Sequence, residues 1–195
     1  MTVCDPAAAP NFLQRLRPRP PSPGPVVLRR GDVPAWAWTG LHLDGVLAPL
    51  WGDVARVRGT PEDPAVRACA FAPLVPQRGA VGQLAAAWVH AGGTPPRRVT
   101  VLVRSGARRP DPHPDRTTAE ADLVDEDLQT LGGVLVTTVT RTAVDVARWV
   151  PAPTAVPVLR TLLPRGLDPR AALRQIDAHP GGRGLRAARA TLRQV

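Results

Sequence analysis

Residues 135–148 read LVTTVTRTAVDVAR, four threonines, two arginines and one aspartate set in an apolar run. Three readings compete for such a stretch: a catalytic constellation, a binding surface, or the joint where a strand turns into a helix. Spacing favours the joint. The preceding GVLV is a strand entering a core, and Thr138 stands where a hydroxyl can cap the next helix. Ala143, Val144, Val146 and Ala147 then supply its apolar surface. Arg141 and Asp145 are i and i+4, so they pair along the helix, a contact worth about 0.3–0.5 kcal/mol on an exposed face. Thr142, beside Arg141, can bond back to a carbonyl.

Working outward, the chain downstream of this joint reads as helical. Residues 153–166 suggest one helix closed by Gly166. Asp168 caps a second, with Pro169 in its first turn. HPGG (179–182) breaks the chain, and a last helix follows. There Arg183, Arg186, Arg189 and Arg193 are spaced to share one face, with Leu185, Ala188 and Leu192 on another.

Upstream, a short strand is expected near 120–124, then an acidic turn and a strand at 133–137. Val99, Val101 and Val103 mark residues 97–105 as the clearest strand. Residues 106–118 read as a loop, in which three prolines make a solvated surface a better account of Asp111, His113 and Asp115 than a metal site. A helix is expected over 80–92, ending at Gly92-Gly93. His90, near its end, reads as a cap or a packed side chain.

Residues 61–77 look like a linker with at most one short helix. In residues 26–60, Asp32 is placed to cap a helix that ends near Asp44-Gly45. The stretches 46–51 and 54–58 then form a hairpin turned at Gly52-Asp53. A helix followed by a two-stranded ribbon is the back half of a winged helix. A small α+β lobe without a DNA role fits the same pattern. Residues 1–25 are Pro-rich and read as a mobile arm.

The totals narrow the function classes. The chain has 195 residues and a net charge of +9, and every one of its 25 basic residues is arginine. Charge is uneven: residues 110–150 carry eight acids against three arginines, between basic flanks. Cys4 and Cys69 are the only cysteines, which argues against a disulfide framework and against zinc. No apolar run approaches the roughly 20 residues a membrane helix needs, and no signal peptide is visible, so a cytoplasmic protein is expected. The histidines at 42, 90, 113 and 179 stand in unlike contexts, and no phosphate-cradling glycine loop or nucleophile elbow appears. A carboxylate pocket from Glu120, Asp122 and Asp145 is the best enzymatic alternative. The expectation is a non-enzyme with no catalytic residue, cofactor or metal.

In its order of parts the chain resembles the AbiEi-type antitoxin and transcriptional-regulator family of high-GC bacteria. The parts are LDGVLAPLWGDVARV, GAVGQLAAAWVHAG, an Arg-flanked strand, GGVLVTTVTRTAVDVAR with its RTxxD signature (Arg141, Thr142, Asp145), and GLDPRAALRQI followed by GGRGLRAARATL. The resemblance spans roughly residues 26–195.

It implies a DNA-binding repressor of a type IV toxin–antitoxin operon that opposes a nucleotidyltransferase toxin. DNA is then the direct partner, and the toxin gene product is met only indirectly. Relatives often continue into a nuclease-like domain, and with the chain ending at Val195 no such activity is expected. The family's recognition helix is rich in Arg and Gln. Here it would offer Thr39 and His42 to bases, while Arg29, Arg30, Arg56 and Arg58 hold phosphates. The expected fold class is α+β. A degenerate winged-helix-like lobe (26–60) is followed by a linker (61–77) and an antitoxin-like α/β region (78–195). That region is a small sheet with packed helices and a helical C-terminus. The alternative is a protein-interaction module whose DNA lobe is degenerate and whose docking face is the Arg183, Arg186, Arg189, Arg193 stripe.

Overall fold

The computed structural model describes residues 26–178 and 183–195. The arm expected over 1–25, and His179 with the rest of HPGG, lie outside the described residues. The fold is α+β, with a three-stranded and a five-stranded sheet.

The smaller sheet holds β1 (Val27–Arg29), β2 (Leu47–Trp51) and β3 (Val54–Val57), and α1 (Ala35–Leu43) lies between the first two strands in sequence. The hairpin turns at Gly52-Asp53, as its sequence predicts. β1 was not anticipated, because three residues between Pro25 and Gly31 carry no periodic signal. It pairs antiparallel with β3 (Val27 with Arg56, Arg29 with Val54), giving the order β1-β3-β2. α1 ends at Asp44-Gly45 as expected. Gly45 takes φ +69°, and the amides of Gly45 and Val46 bond to the carbonyls of His42 and Leu41. Asp32 does not cap α1. Its Oδ2 instead accepts from the Arg29 amide at 2.8 Å, closing the short turn Arg30–Asp32, and Pro34 takes the N-cap position.

The expected linker is the main correction to the reading of the sequence. Residues 64–71 form α2 (Pro64–Phe71), started by Asp63 Oδ1 accepting from the Val66 amide at 2.8 Å with Pro64 behind it. It buries Val66, Ala68, Ala70 and Phe71. Alanines and one turn-favouring start gave it the look of a connector, yet small side chains are what let a helix lie close against a sheet. Phe71 meets Trp51 edge-on at 5.1 Å between ring centroids and Trp88 at 5.2 Å. Through this contact Val27, Leu50 and Val54 of the N-terminal lobe join one core with Val81, Val99, Val101 and Val136. The hydrophobic core thus crosses the expected boundary at 61–77.

The larger sheet contains β4 (Gly79–Val81), β5 (Val99–Arg104), β6 (Arg116–Ala121), β7 (Leu128–Leu131) and β8 (Val134–Thr137), ordered β6-β5-β4-β8-β7. β5 runs parallel to β6 and antiparallel to β4, and β4 runs parallel to β8. Here too the sequence reading shifts. Residues 79–81 are strand, and the helix expected from 80 begins only at α3 (Gln83–Ala91). Gly82 separates the two: a Cβ there would sit 2.5 Å from the Leu102 side chain. The strand expected near 120–124 lies earlier, at 116–121, shortening the loop, and β7 was unforeseen.

A helical layer follows: α4 (Val139–Trp149), α5 (Ala152–Leu162), α6 (Pro169–Asp177) and α7 (Leu185–Leu192). α4 is its hub and packs against α3, α5, α6 and α7. Val146, Leu159, Leu162, Ile176 and Leu192 fill the space between them. Two local expectations hold here. Gly166 closes the α5 region in the left-handed conformation, and Asp168 caps α6 by accepting from the Arg170 amide at 2.9 Å.

Candidate functional site

The joint at 135–148 is real, but its charged pair is not on the surface. Thr138 is the N-cap of α4 and accepts from the Arg141 amide at 3.4 Å. Arg141 is 7 % exposed and Asp145 1 %. Arg141 Nε donates to Asp145 Oδ2 at 3.0 Å, while one terminal nitrogen donates to Asp127 Oδ2 at 2.7 Å and to the Asp122 carbonyl at 2.8 Å. Gln175 Nε2 donates to the other Asp127 oxygen at 2.7 Å. The i,i+4 pair, worth little on an exposed face, is therefore a buried cation between two buried carboxylates, drawn from α4 and the segment before β7. The i,i+4 spacing was legible. Asp127 was not, because nothing in the acidic turn sets it apart from its neighbours Asp125 and Glu126.

Burial works against the charge on Arg141, and Asp145 and Asp127 outweigh it, so its pKa moves up. Burial also raises the Asp145 carboxyl above the usual range, against the pull of Arg141. Beneath this node the Thr142 and Thr137 hydroxyls lie 2.7 Å apart, both buried. Thr142 also donates to the Thr137 carbonyl at 3.2 Å, the back-bond its position predicted but one made to the preceding strand. The long cap bond at Thr138 sets a modest expectation: Thr138→Ala lowers stability by about 0.5–1 kcal/mol, read by urea unfolding.

His90 is a packed side chain. It is buried, with Nε2 2.7 Å from the Thr137 carbonyl, so the neutral ring carries its proton on Nε2 and donates it there. Burial lowers its pKa below 6.5. Above that value the ring is neutral in both folded and unfolded chains. Below it the unfolded chain takes up a proton that the fold resists, so stability falls with acidification. Melting temperatures from pH 8 to pH 5.5 should drop more steeply for the native chain than for His90→Gln.

Glu120, Asp122 and Asp145 do not converge on one pocket. Glu120 is exposed and pairs with Arg109 at 2.9 Å, Asp122 is exposed, and Asp145 is buried on Arg141. Glu120 and Asp122 line a cavity of about 370 Å³ together with Arg141, Arg148 and Trp149, and Asp145 does not reach it. At the loop site, His113 Nδ1 accepts from the Asp115 amide at 3.1 Å.

The arginine stripe of the last helix is also dispersed. Arg183 precedes α7, and its carbonyl accepts from the Arg148 guanidinium at 2.9 and 3.1 Å. Arg189 pairs with Asp177 at 2.8 Å. Arg186 and Arg193 are exposed.

In the N-terminal lobe, α1 has no buried residue among its nine. Trp36 is 79 % and Leu43 82 % exposed. The Thr39 hydroxyl turns back to the Ala35 carbonyl at 3.1 Å, and His42 stacks edge-on against Trp38 at 4.7 Å. Arg56 reaches the Thr60 carbonyl at 2.8 Å, and Arg58 Nε donates to the Gly45 carbonyl. Arg29 donates to the Cys69 carbonyl at 2.8 Å, while Arg30 is exposed and 3.9 Å from Asp53. Arg29 and Arg30 line one groove with the hairpin turn and with Arg97, a residue the sequence did not single out. Its signal was present in the dipeptide Arg97-Arg98 ahead of β5, but only the groove gives Arg97 a direction.

No helix among the described residues is long and apolar enough to cross a membrane. No protein-family model matches the chain, and no curated protein matches it.

Proposed function

We propose that the protein is a cytoplasmic DNA-binding regulator of the winged-helix kind. In the antitoxin role its resemblance implies, it represses its own operon and opposes a nucleotidyltransferase toxin. One observation carries the reading. A helix stands in sequence between the first two strands of an antiparallel β1-β3-β2 sheet, and a tight exposed turn at Gly52-Asp53 joins the last two strands where a wing would be. Arg30, Arg56 and Arg58 stand on that lobe as candidate phosphate contacts.

The test is a titration of duplex DNA from upstream of the gene at several salt concentrations. Affinity should fall linearly with the logarithm of salt, and Arg56→Gln with Arg58→Gln should flatten the slope by about 2. An absent shift or a flat salt response defeats the reading.

A second reading draws on α1. Its exposed Trp36 and Leu43, and its lack of Arg, Lys, Asn and Gln, suit a protein surface better than base edges. Co-purification with the product of the neighbouring gene, lost in Trp36→Glu while duplex binding persists, would favour that interaction module.

A further inference from the structure

A groove of about 910 Å³ runs between the hairpin turn at 52–53 and residues 95–97. Trp51, Leu74 and Pro96 give it an apolar wall, and Arg29, Arg30 and Arg97 give it cations. Asp53 and Asp115 also face it. Asp53 lies 3.9 Å from Arg30, and Asp115 lies 4.0 Å from the His113 ring.

Two of the three guanidiniums are not satisfied from within. Arg29 is anchored by one terminal nitrogen on the Cys69 carbonyl, and its Nε is buried with no acceptor. Neither Arg29 nor Arg97 has a carboxylate partner among the described residues, and the exposed Arg97 side chain makes no hydrogen bond among them either. A buried donor lacking an acceptor is unfavourable and calls for an oxygen from elsewhere. Guanidinium forks match phosphate oxygens. The wall answers a different chemistry. The Trp51 Nε1 is already engaged, donating to the Pro96 carbonyl at 2.7 Å, which fixes the indole beside the proline. That leaves flat apolar surface suited to a planar ring. The volume falls within the roughly 300–1,000 Å³ of small-ligand sites.

We propose that this groove binds a nucleoside phosphate, the phosphate held by Arg29, Arg30 and Arg97 and the base laid along Trp51 and Pro96. The ligand is either a free nucleotide or one unit of a single-stranded nucleic acid. The site goes beyond the duplex-binding reading and stands without it.

Titration calorimetry with AMP, GMP, CMP and UMP, and separately with a short oligothymidylate, tests it. Binding of the mononucleotides assigns the groove to free nucleotide, and binding of the oligonucleotide alone assigns it to a strand. In either case Arg30→Gln with Arg97→Gln weakens binding about tenfold or more and leaves the melting temperature unchanged, since both side chains are exposed. Arg97→Lys recovers part of the loss. No binding of any probe at millimolar concentration overturns the proposal, as does binding indifferent to the double variant. Inorganic phosphate binding as tightly as AMP overturns it too, because the ring would then have no part. Nucleotide binding by a native chain that shows no duplex binding, or a duplex affinity indifferent to salt, faults the duplex reading alone.

Discussion

Arg141→Met is expected to cost about 3–5 kcal/mol of folding stability, a fall in Tm of roughly 10–15 °C for a chain of this size. The substitution keeps an unbranched apolar stem and removes the guanidinium with its charge and its bonds to Asp122 and Asp127. Asp127 and Asp145 then remain buried and face each other's field with no cation between them. On an exposed helix the same change would cost only about 0.3–0.5 kcal/mol, so the measurement separates a surface pair from a buried node by an order of magnitude. Acidity supplies a second check. In the variant, Asp145 keeps the burial that raises its pKa and loses the Arg141 pull that opposed it. Its folded pKa then stands further above the unfolded value, so stability is greater below that pKa and is lost as pH rises through it. The gap between native and variant should narrow from pH 7 to pH 5 in urea unfolding. A gap under about 1 kcal/mol at pH 7 would mean that the carboxylates find other partners.

Phe71→Ala is expected to cost about 3–5 kcal/mol, the usual range for removing a buried aromatic ring. The distinctive outcome is where the loss appears. Phe71 is fully buried between Trp51 of the lobe and Trp88 of α3, so the cavity opens at the contact that joins the two. Native unfolding followed by tryptophan fluorescence and by far-UV circular dichroism should give coincident curves, as one core requires. In the variant the fluorescence transition should come first as the lobe loosens. Separate transitions in the native chain would show that the lobe folds by itself.

The sequence was most informative where a single residue dictates backbone geometry. Gly45, Gly92 and Gly166 end helices, Asp168 and Thr138 begin them, and Gly52-Asp53 turns the hairpin, all as their chemistry predicts. The alternation in β5 was equally plain. Elements too short to show a period escaped: β1 has three residues, β7 four, and α2 eight, several of them alanines. Burial was harder still, because spacing along a chain says nothing about what packs over it. Arg141 and Asp145 are i and i+4 whether exposed or covered, and only the arrival of Asp127 and α6 decides which. The stripe over Arg183, Arg186, Arg189 and Arg193 dissolved for a related reason: α7 begins after the first of them, and Asp177 claims the third.

The carbonyl anchors on the lobe's arginines have one more consequence. Arg29, Arg56 and Arg58 each give hydrogen bonds to a backbone oxygen. A peptide carbonyl carries no net charge, so Arg29 and Arg58 keep their full positive charge while their rotamers are held, whereas Arg56 also lies 3.8 Å from the Glu62 carboxylate. Immobilising such a side chain on binding ordinarily costs about 0.5–1.5 kcal/mol. Here that ordering accompanies folding, and an anion reaching the lobe meets two charges already fixed in place, those of Arg29 and Arg58, where it would otherwise meet mobile tethers.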